Sequence, residues 1–166
     1  MKRGIIAFAL VVIPMLAQAA DYEITVERKK TGIGQAKGNV ELKTSQSWTG
    51  EVKIQSHVFK PVPELEARYI IFVKRQRLGQ NRGEDKIDKV KGSSKVADLK
   101  SGMTTTFLTS EVTLKQEFLA PGWIMVSGAN RAEDSVLGVW VKLFDGTKQV
   151  AEYVNPSTLT TKYKWE

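Results

Sequence analysis

The feature that most constrains this chain is a run of five apolar residues, 69–73, followed at once by a basic stretch. Because five consecutive apolar residues leave no polar side, the run predicts a strand that is buried on both faces. The stretch 74–100 carries nine basic and four acidic residues. It predicts a long solvated excursion, a projecting loop or hairpin, that begins where this core strand ends.

The N-terminus has the pattern of a secretory signal peptide. Lys2 and Arg3 form a short positive region, residues 5–16 are apolar apart from one proline, and residues 17–19 read Ala-Gln-Ala, a small-residue cleavage site. We therefore predict a signal peptide over residues 1–19 and a single domain over residues 20–166. The protein is then exported, to the periplasm or the cell exterior, and meets the membrane only through the signal segment before cleavage.

Two other kinds of N-terminus fit less well. A permanent membrane anchor needs about 20 apolar residues, and this run is shorter and contains Pro14. A prepilin leader would be cut after Gly4 and would normally place Glu at the position that Ala9 occupies.

The composition excludes several classes of chemistry. The chain has no cysteine, so it has neither disulfides nor a thiolate nucleophile or ligand, and an exported domain of this kind must be held by its core. The apolar fraction of 42% permits such a core. The formal net charge is +7, and it is +5 without Lys2 and Arg3, which equals the surplus of residues 74–100 alone.

Short alternating segments recur along the chain and predict an all-β fold. The two-residue period of a half-buried strand is seen in residues 22–27, 40–43, 52–58, 103–109 and 111–118. Strands are also predicted at 96–99, 123–126 and 136–144, and Asp145-Gly146 predicts a hairpin turn into 149–154. Ile87 and Val90 have the spacing of a short helix face, and residues 158–165 predict an edge strand or a tail. About seven to nine strands without sustained helical periodicity predict an antiparallel Ig-like β-sandwich.

No catalytic, cofactor-binding or metal-binding residue is predicted. His57 is the only histidine, and its place in an alternating segment puts it on the solvent face, so a triad or a zinc site has no support. The acidic cluster of Glu84, Asp85 and Asp88 lies among lysines and is interpreted as charge balancing. A carboxylate-dependent hydrolase remains the enzymatic alternative, since sequence spacing cannot exclude a pair of acids facing a cleft.

The basic excursion is the candidate contact site. Its predicted partner-binding residues are Lys74, Arg75, Arg77, Arg82, Lys86, Lys89 and Lys91. Nucleic acid is not predicted as a partner, because no aromatic residue for base stacking occurs between residues 73 and 106.

A sugar-binding site depends on which tryptophans are exposed to solvent. An acidic glycan or anionic envelope surface is the alternative partner, and it needs an exposed tryptophan beside the basic residues. Trp48 and Trp140 are predicted to lie in the core, Trp165 to seal an edge or cap the core, and Trp123 can be either buried or exposed.

The C-terminal half resembles a known type of protein. Residues 96–107, VADLKSGMTTTF, followed by Val112-Thr113-Leu114, are similar to the middle strands of exported Ig-like domains. Residues 139–146, VWVKLFDG, with Val150-Ala151-Glu152 and Asn155-Pro156, resemble their closing hairpin. Among such proteins the chain most resembles small exported bacterial Ig-like proteins associated with type IV pilus and secretin systems. The resemblance implies a non-enzymatic module that contacts a protein partner at the cell envelope, and it carries no ligand motif.

Overall fold

The computed structural model describes residues 21–38, 41–60, 62–81 and 85–165. The predicted signal peptide lies outside the described residues. Within them the chain forms nine strands and one short helix: β1 (Tyr22–Lys37), β2 (Glu41–Ser56), β3 (Val62–Arg75), β4 (Lys86–Leu99), β5 (Thr104–Leu108), β6 (Val112–Leu119), β7 (Arg131–Glu133), β8 (Ser135–Asp145), β9 (Lys148–Asn155) and α1 (Leu159–Lys162). Among the described residues no helix is long and apolar enough to cross a membrane.

The strands form two antiparallel sheets, which confirms the predicted all-β sandwich. One sheet has the order β1-β2-β6-β7, with β5 also paired to β2, and the other has the order β4-β3-β8-β9. The chain crosses between the sheets after β2, β4 and β7. Crossings of this kind, with β3 flanked by strands far apart in sequence, are the Greek-key connections of an Ig-like sandwich.

Strand β3 is the centre of its sheet and is buried on both faces, as its sequence predicts. Residues 69–73 are all at most 4% exposed. Tyr69, Ile71 and Val73 face the interior and join the main core with Trp48 and residues of β2, β4 and β8. Ile70 and Phe72 face the opposite way and join a second cluster.

Tyr69 links the two sheets across the core. Its hydroxyl accepts a hydrogen bond from the Ser110 backbone N–H at 2.7 Å and lies 3.0 Å from the Ser110 hydroxyl. The ring passes over Gly92 of β4, where a Cβ atom would collide with it. Glycine at this position therefore lets a large side chain of β3 reach the opposite sheet.

The outer face of β3 is covered by the C-terminal segment. Leu159 of α1 is buried in the second cluster, Tyr163 stacks on Phe72 with ring centroids 4.8 Å apart, and Trp165 meets Trp140 edge-on at 5.3 Å. Of the two predictions for residues 158–165, the tail is therefore confirmed and the edge strand is wrong.

Three sequence predictions about local structure are corrected. The solvated excursion is largely strand β4, because paired side chains such as Val90 and Val96 pack inward between its lysines. For the same reason Ile87 and Val90 lie on opposite faces of a strand and not on one helix face. Residues 123–126 are not a strand and belong to the loop between β6 and β7.

The C-terminal cover yields a stability prediction. Leu159→Ala should lower the free energy of unfolding by about 3 kcal/mol, the usual cost of truncating a fully buried leucine. Lys162→Ala, on an exposed residue of the same helix, should change it by less than about 0.5 kcal/mol. Urea denaturation followed by fluorescence measures both, and equal effects would show that the segment does not pack on β3.

Candidate contact site

The polar residues of the sandwich converge at the end where β3 stops and β8 begins. The centre is a set of three side chains that we call the Arg75 clasp: Arg75, Asp88 and Asp134. Arg75 follows the inward parity of Tyr69, Ile71 and Val73, so the core strand itself delivers its guanidinium to the space between the sheets. Its Nη1 donates to Asp134 at 2.8 Å and to the Thr113 backbone oxygen at 2.7 Å, while Nε donates to Asp88 at 3.1 Å.

Asp134 is the buried member of the clasp, with a side chain only 5% exposed. Besides Arg75 it accepts hydrogen bonds from the backbone N–H groups of Gln76 at 3.1 Å and Lys115 at 3.0 Å. Its own N–H donates to the Lys115 backbone oxygen at 2.8 Å. Asp134 therefore joins β6 of one sheet to the end of β3 in the other, at the point where the chain crosses between them.

The clasp shifts the pKa values of two of its members, Arg75 and Asp88. Burial works against the charge of Arg75, but hydrogen bonds to Asp134 and Asp88 outweigh it, so its pKa lies above the ordinary value. Hydrogen bonds from Arg75 and Lys86 hold the pKa of Asp88 below its ordinary value. Arg75 and Asp88 are therefore both charged at neutral pH and paired with each other.

A groove of about 700 Å³ runs beside the clasp, between the edge of β4 and β6. Lys86, Asp88 and Val90 line it from β4, and Val112, Thr113 and Lys115 line it from β6. In the described part of the chain β4 is hydrogen-bonded in a sheet to β3 only. The groove is thus bordered by a strand edge of 14 residues without a second neighbour.

The predicted contact residues do not all share one environment. Arg75 is committed to the clasp, and Lys74 is half-buried with its Nζ 3.7 Å from Asp85. Lys86 is exposed and lies 3.2 Å from Asp88 at the mouth of the groove. Arg82 lies outside the described residues.

The other predicted residues are exposed cations. Lys89 and Lys91 pair with Phe72 and Ile70, so they extend from the outer face of the sheet. Lys89 Nζ is 3.5 Å from the backbone oxygen of Lys164 in the C-terminal segment. Arg77 lies in the loop after β3, and its guanidinium has no ionic partner among the described residues.

The sequence did not predict an exposed apolar loop that the described residues contain, which we call the β6–β7 loop, residues 120–130. Trp123 is 57% exposed, Ile124 81% and Val126 fully exposed. Residues 123–126 favour strands and therefore predict one, while Pro121-Gly122 predicts only a turn before it. The density of Gly and Pro around so short a run was the available indication of a loop.

The opposite end of the sandwich holds the only histidine. His57 is exposed, as predicted, just after β2 ends, and its Nε2 lies 3.8 Å from Glu23. Among the residues that the structure describes, no three side chains are arranged to hold a metal ion.

Comparisons with known proteins add little to this description. No protein-family model and no curated protein matches the chain. A solved structure from Akkermansia muciniphila is 13% identical, covers 81% of this chain and 70% of its own, and has a TM-score of 0.35. The Northeast Structural Genomics Consortium target SoR45 is 8% identical, covers 88% of this chain and 96% of its own, and has a TM-score of 0.33. The putative ApaA protein from Bordetella pertussis is 12% identical, covers 80% of this chain and 92% of its own, and has a TM-score of 0.32. These TM-scores are too low to support a shared function, and the fold assignment stands on the topology of the chain.

The clasp predicts a large difference between two neighbouring acids. Asp134→Ala should lower the free energy of unfolding by about 3 kcal/mol, because it leaves part of the Arg75 charge and two backbone N–H groups without their acceptor. Glu133→Ala removes only an exposed ion pair with Arg131 and should cost at most about 1 kcal/mol. Urea denaturation at neutral pH compares them, and similar costs would mean that the clasp does not join the sheets.

The pKa shift of Asp88 predicts an acid effect. Because its folded-state pKa is lowered, its contribution to stability is complete above the unfolded value, near pH 4, and is lost as the pH falls through the folded value. Asp88→Asn should therefore be less stable than the wild type at about pH 7 and nearly equal to it at about pH 2. Thermal melts at both pH values measure this, and a stability difference that stays as large at about pH 2 as at about pH 7 would contradict it.

Proposed function

We propose that this chain is a non-enzymatic contact module that binds a protein partner at the cell envelope by accepting an extended segment along β4. The observation that carries the proposal is the 14-residue edge of β4, which is open on one side and bordered there by the groove. Open edges present unpaired backbone N–H and C=O groups, and strand addition to such an edge is a common way of binding a peptide.

The side chains on either side of this edge indicate what kind of segment would fit. Residues that pair across strands share a face, so alternate residues of an added strand would extend into the groove toward Val90. The remaining residues would lie on the outer face beside Lys89 and Lys91. A segment with apolar residues on one face and acidic residues on the other is therefore the best complement.

The non-enzymatic part of the proposal rests on how the acids of the groove are used. Of the four acids that line the groove, Asp134 accepts from Arg75 and two backbone groups, Asp88 pairs with Arg75 and Lys86, and Glu117 pairs with Lys43. The fourth, Glu111, is exposed, so no two acids of the groove form an unengaged pair. His57 lies at the other end of the sandwich and does not line the groove. The proposed export rests on the signal pattern of residues 1–19, and the proposed pilus or secretin association rests on the resemblance of the C-terminal strands.

A glycan or anionic envelope surface is the second candidate, and the exposure of Trp123 favours it. Stable stacking on sugars usually benefits from a second aromatic platform. Among the described residues the other largely exposed aromatic is Phe59, which follows the C-terminal end of β2. Trp123 follows β6, whose last residue pairs with the first residue of β2. The two rings therefore lie at opposite ends of the sandwich, and the protein partner is the better-supported candidate.

Site-specific crosslinking tests the β4 edge. The photocrosslinker benzoylphenylalanine, incorporated at Lys91 and irradiated in cells of the source organism, should give a discrete adduct with one envelope protein. The same group at Lys148, exposed on the opposite edge strand of the same sheet, should not. Identical adducts from both positions would contradict a partner on β4.

Charge reversal tests the electrostatic part. Replacing Lys86, Lys89 and Lys91 with Glu should abolish most of the capture of that partner when no crosslinker is used. The changes at Lys89 and Lys91, on the outer face, should each shift the free energy of unfolding by no more than about 0.5 kcal/mol. Lys86→Glu also removes the ion pair with Asp88 and should cost up to about 1 kcal/mol. Capture is measured by affinity pull-down and stability by thermal melting, with Lys148→Glu and Lys162→Glu as controls. Unchanged capture by the triple variant would exclude these lysines from the contact.

A further inference from the structure

The β6–β7 loop presents its apolar side chains outward from a fixed backbone. The N–H of Gly79 donates to the Ala129 oxygen at 3.0 Å, and the N–H of Ala129 donates to the Gln80 oxygen at 3.4 Å. Gly128, at φ +81°, packs so closely on Gly79 that a Cβ atom would collide with its backbone. The loop is therefore fastened to the β3–β4 loop, and its tip keeps a defined shape.

Of the four large apolar residues in the loop, one faces inward and three face outward. The backbone N–H of Met125 donates to the Asn130 side chain at 2.8 Å, and Met125 is half-buried with its methyl group beside Gly79. Trp123, Ile124 and Val126 extend into solvent on either side of it. Such exposure of three large apolar side chains at one tip is uncommon for a surface without a partner.

Cations lie at the base of this tip. Arg77 and Arg131 both line the small cleft between the two loops, next to Ala129. One acid, Asp85, also lines the cleft; it lies 3.7 Å from Lys74 and accepts a hydrogen bond from Gln76. Arg131 pairs with Glu133 at 2.7 Å and lies over the Phe118 ring, whereas Arg77 has no ionic partner among the described residues. An apolar tip next to Arg77 is therefore complementary to a surface whose outer layer is anionic and whose interior is apolar.

The size of the tip also favours a lipid surface over a protein. Three side chains amount to a few hundred Å², on the order of the patches that mark interaction sites. A standard protein interface needs about 800 Å² from each partner. A bilayer interface, in contrast, accepts a small apolar projection, and tryptophan favours that depth because its ring is apolar and its N–H can stay hydrated.

We propose that the β6–β7 loop is a membrane-docking tip: Trp123, Ile124 and Val126 enter the interface of an anionic lipid bilayer while Arg77 contacts its headgroup phosphates. This function is distinct from the protein contact along β4. The tip lies beyond the end of β6, whereas the β4 edge begins at Lys86, so the two contacts adjoin at Arg77, which lines both the cleft below the tip and the loop end of the groove.

Tryptophan fluorescence with vesicles tests the proposal directly. Trp48 and Trp140 are buried and Trp165 is half-buried against Trp140, so an emission change on binding reports mainly on Trp123. Vesicles of phosphatidylcholine containing phosphatidylglycerol should shift the emission to the blue, and vesicles of phosphatidylcholine alone should do so far less. The protein is used as purified after export, so that all variants share one N-terminus.

Two variants separate the apolar and the ionic contributions while keeping Trp123 as the reporter. The double variant Ile124→Ser with Val126→Ser should weaken vesicle binding at least about tenfold. Arg77→Gln should weaken binding to the anionic vesicles about fivefold, the usual effect of one cation near such a surface, and raised salt should reduce that difference. Since all three residues are exposed, folding should be unchanged, which thermal melting checks.

The matched control lies at the other end of the molecule. Phe59 is 94% exposed, and β2 separates its end of the sandwich from the tip by about 50 Å at 3.3 Å per residue. Phe59→Ser should bind vesicles like the wild type. Binding that the double variant retains, or that Phe59→Ser loses equally, would overturn the proposal. Absence of vesicle binding would also overturn it. If sedimentation then showed a dimer that the double variant dissociates, the tip would bind a second copy of the chain instead.

Discussion

The structure depends on the burial of β3 on both of its faces and both of its edges. Its inner residues Tyr69, Ile71 and Val73 supply the centre of the main core, and its outer residues Ile70 and Phe72 would be exposed without the C-terminal segment. Strands β4 and β8 satisfy its backbone on either side. Because a strand with no polar face cannot stop abruptly at the surface, the change from Val73 to Lys74 and Arg75 also sets where the sheet ends and where polar contacts begin.

The sequence predicted the parts of this fold that depend on local apolar patterns. Residues 69–73 are buried, Trp48 and Trp140 lie in the cores, and Asp145-Gly146 turns between β8 and β9, with Asp145 paired to Lys148. Of β4 it predicted only the last four residues, 96–99, because a strand at the edge of a sheet tolerates outward lysines, and in the sequence these resemble a solvated loop. Nor did it predict that Trp123 and its neighbours form a loop, because intrinsic strand preference is overridden where no strand is available to pair with.

The Arg75 clasp was beyond sequence reasoning for a different reason. Its members come from the end of β3, the start of β4 and the crossing between β7 and β8, and nothing local relates Arg75 to Asp134, 59 residues away. Arg75 was predicted to bind a partner because it stands in a basic run. Side chains alternate between the two faces along β3, and this alternation places Arg75 on the inner face, where it is structural. Lys89 and Lys91 lie on the outer face of β4 and are exposed to solvent.

The clasp also separates the two proposed contacts. Asp134 and Arg75 lie between the sheets at the end of the groove where β3 stops. Gln76 is the next residue toward the loops, and its side chain donates to Asp85 at 2.9 Å and accepts from the Glu133 N–H at 3.2 Å. The β6–β7 loop is fastened beyond that point, to Gly79 and Gln80. A strand added along β4 and a lipid surface at the loop tip would therefore meet different sides of this polar layer. Arg77 lines both the groove and the cleft below the tip, so it is the residue at which the two contacts adjoin.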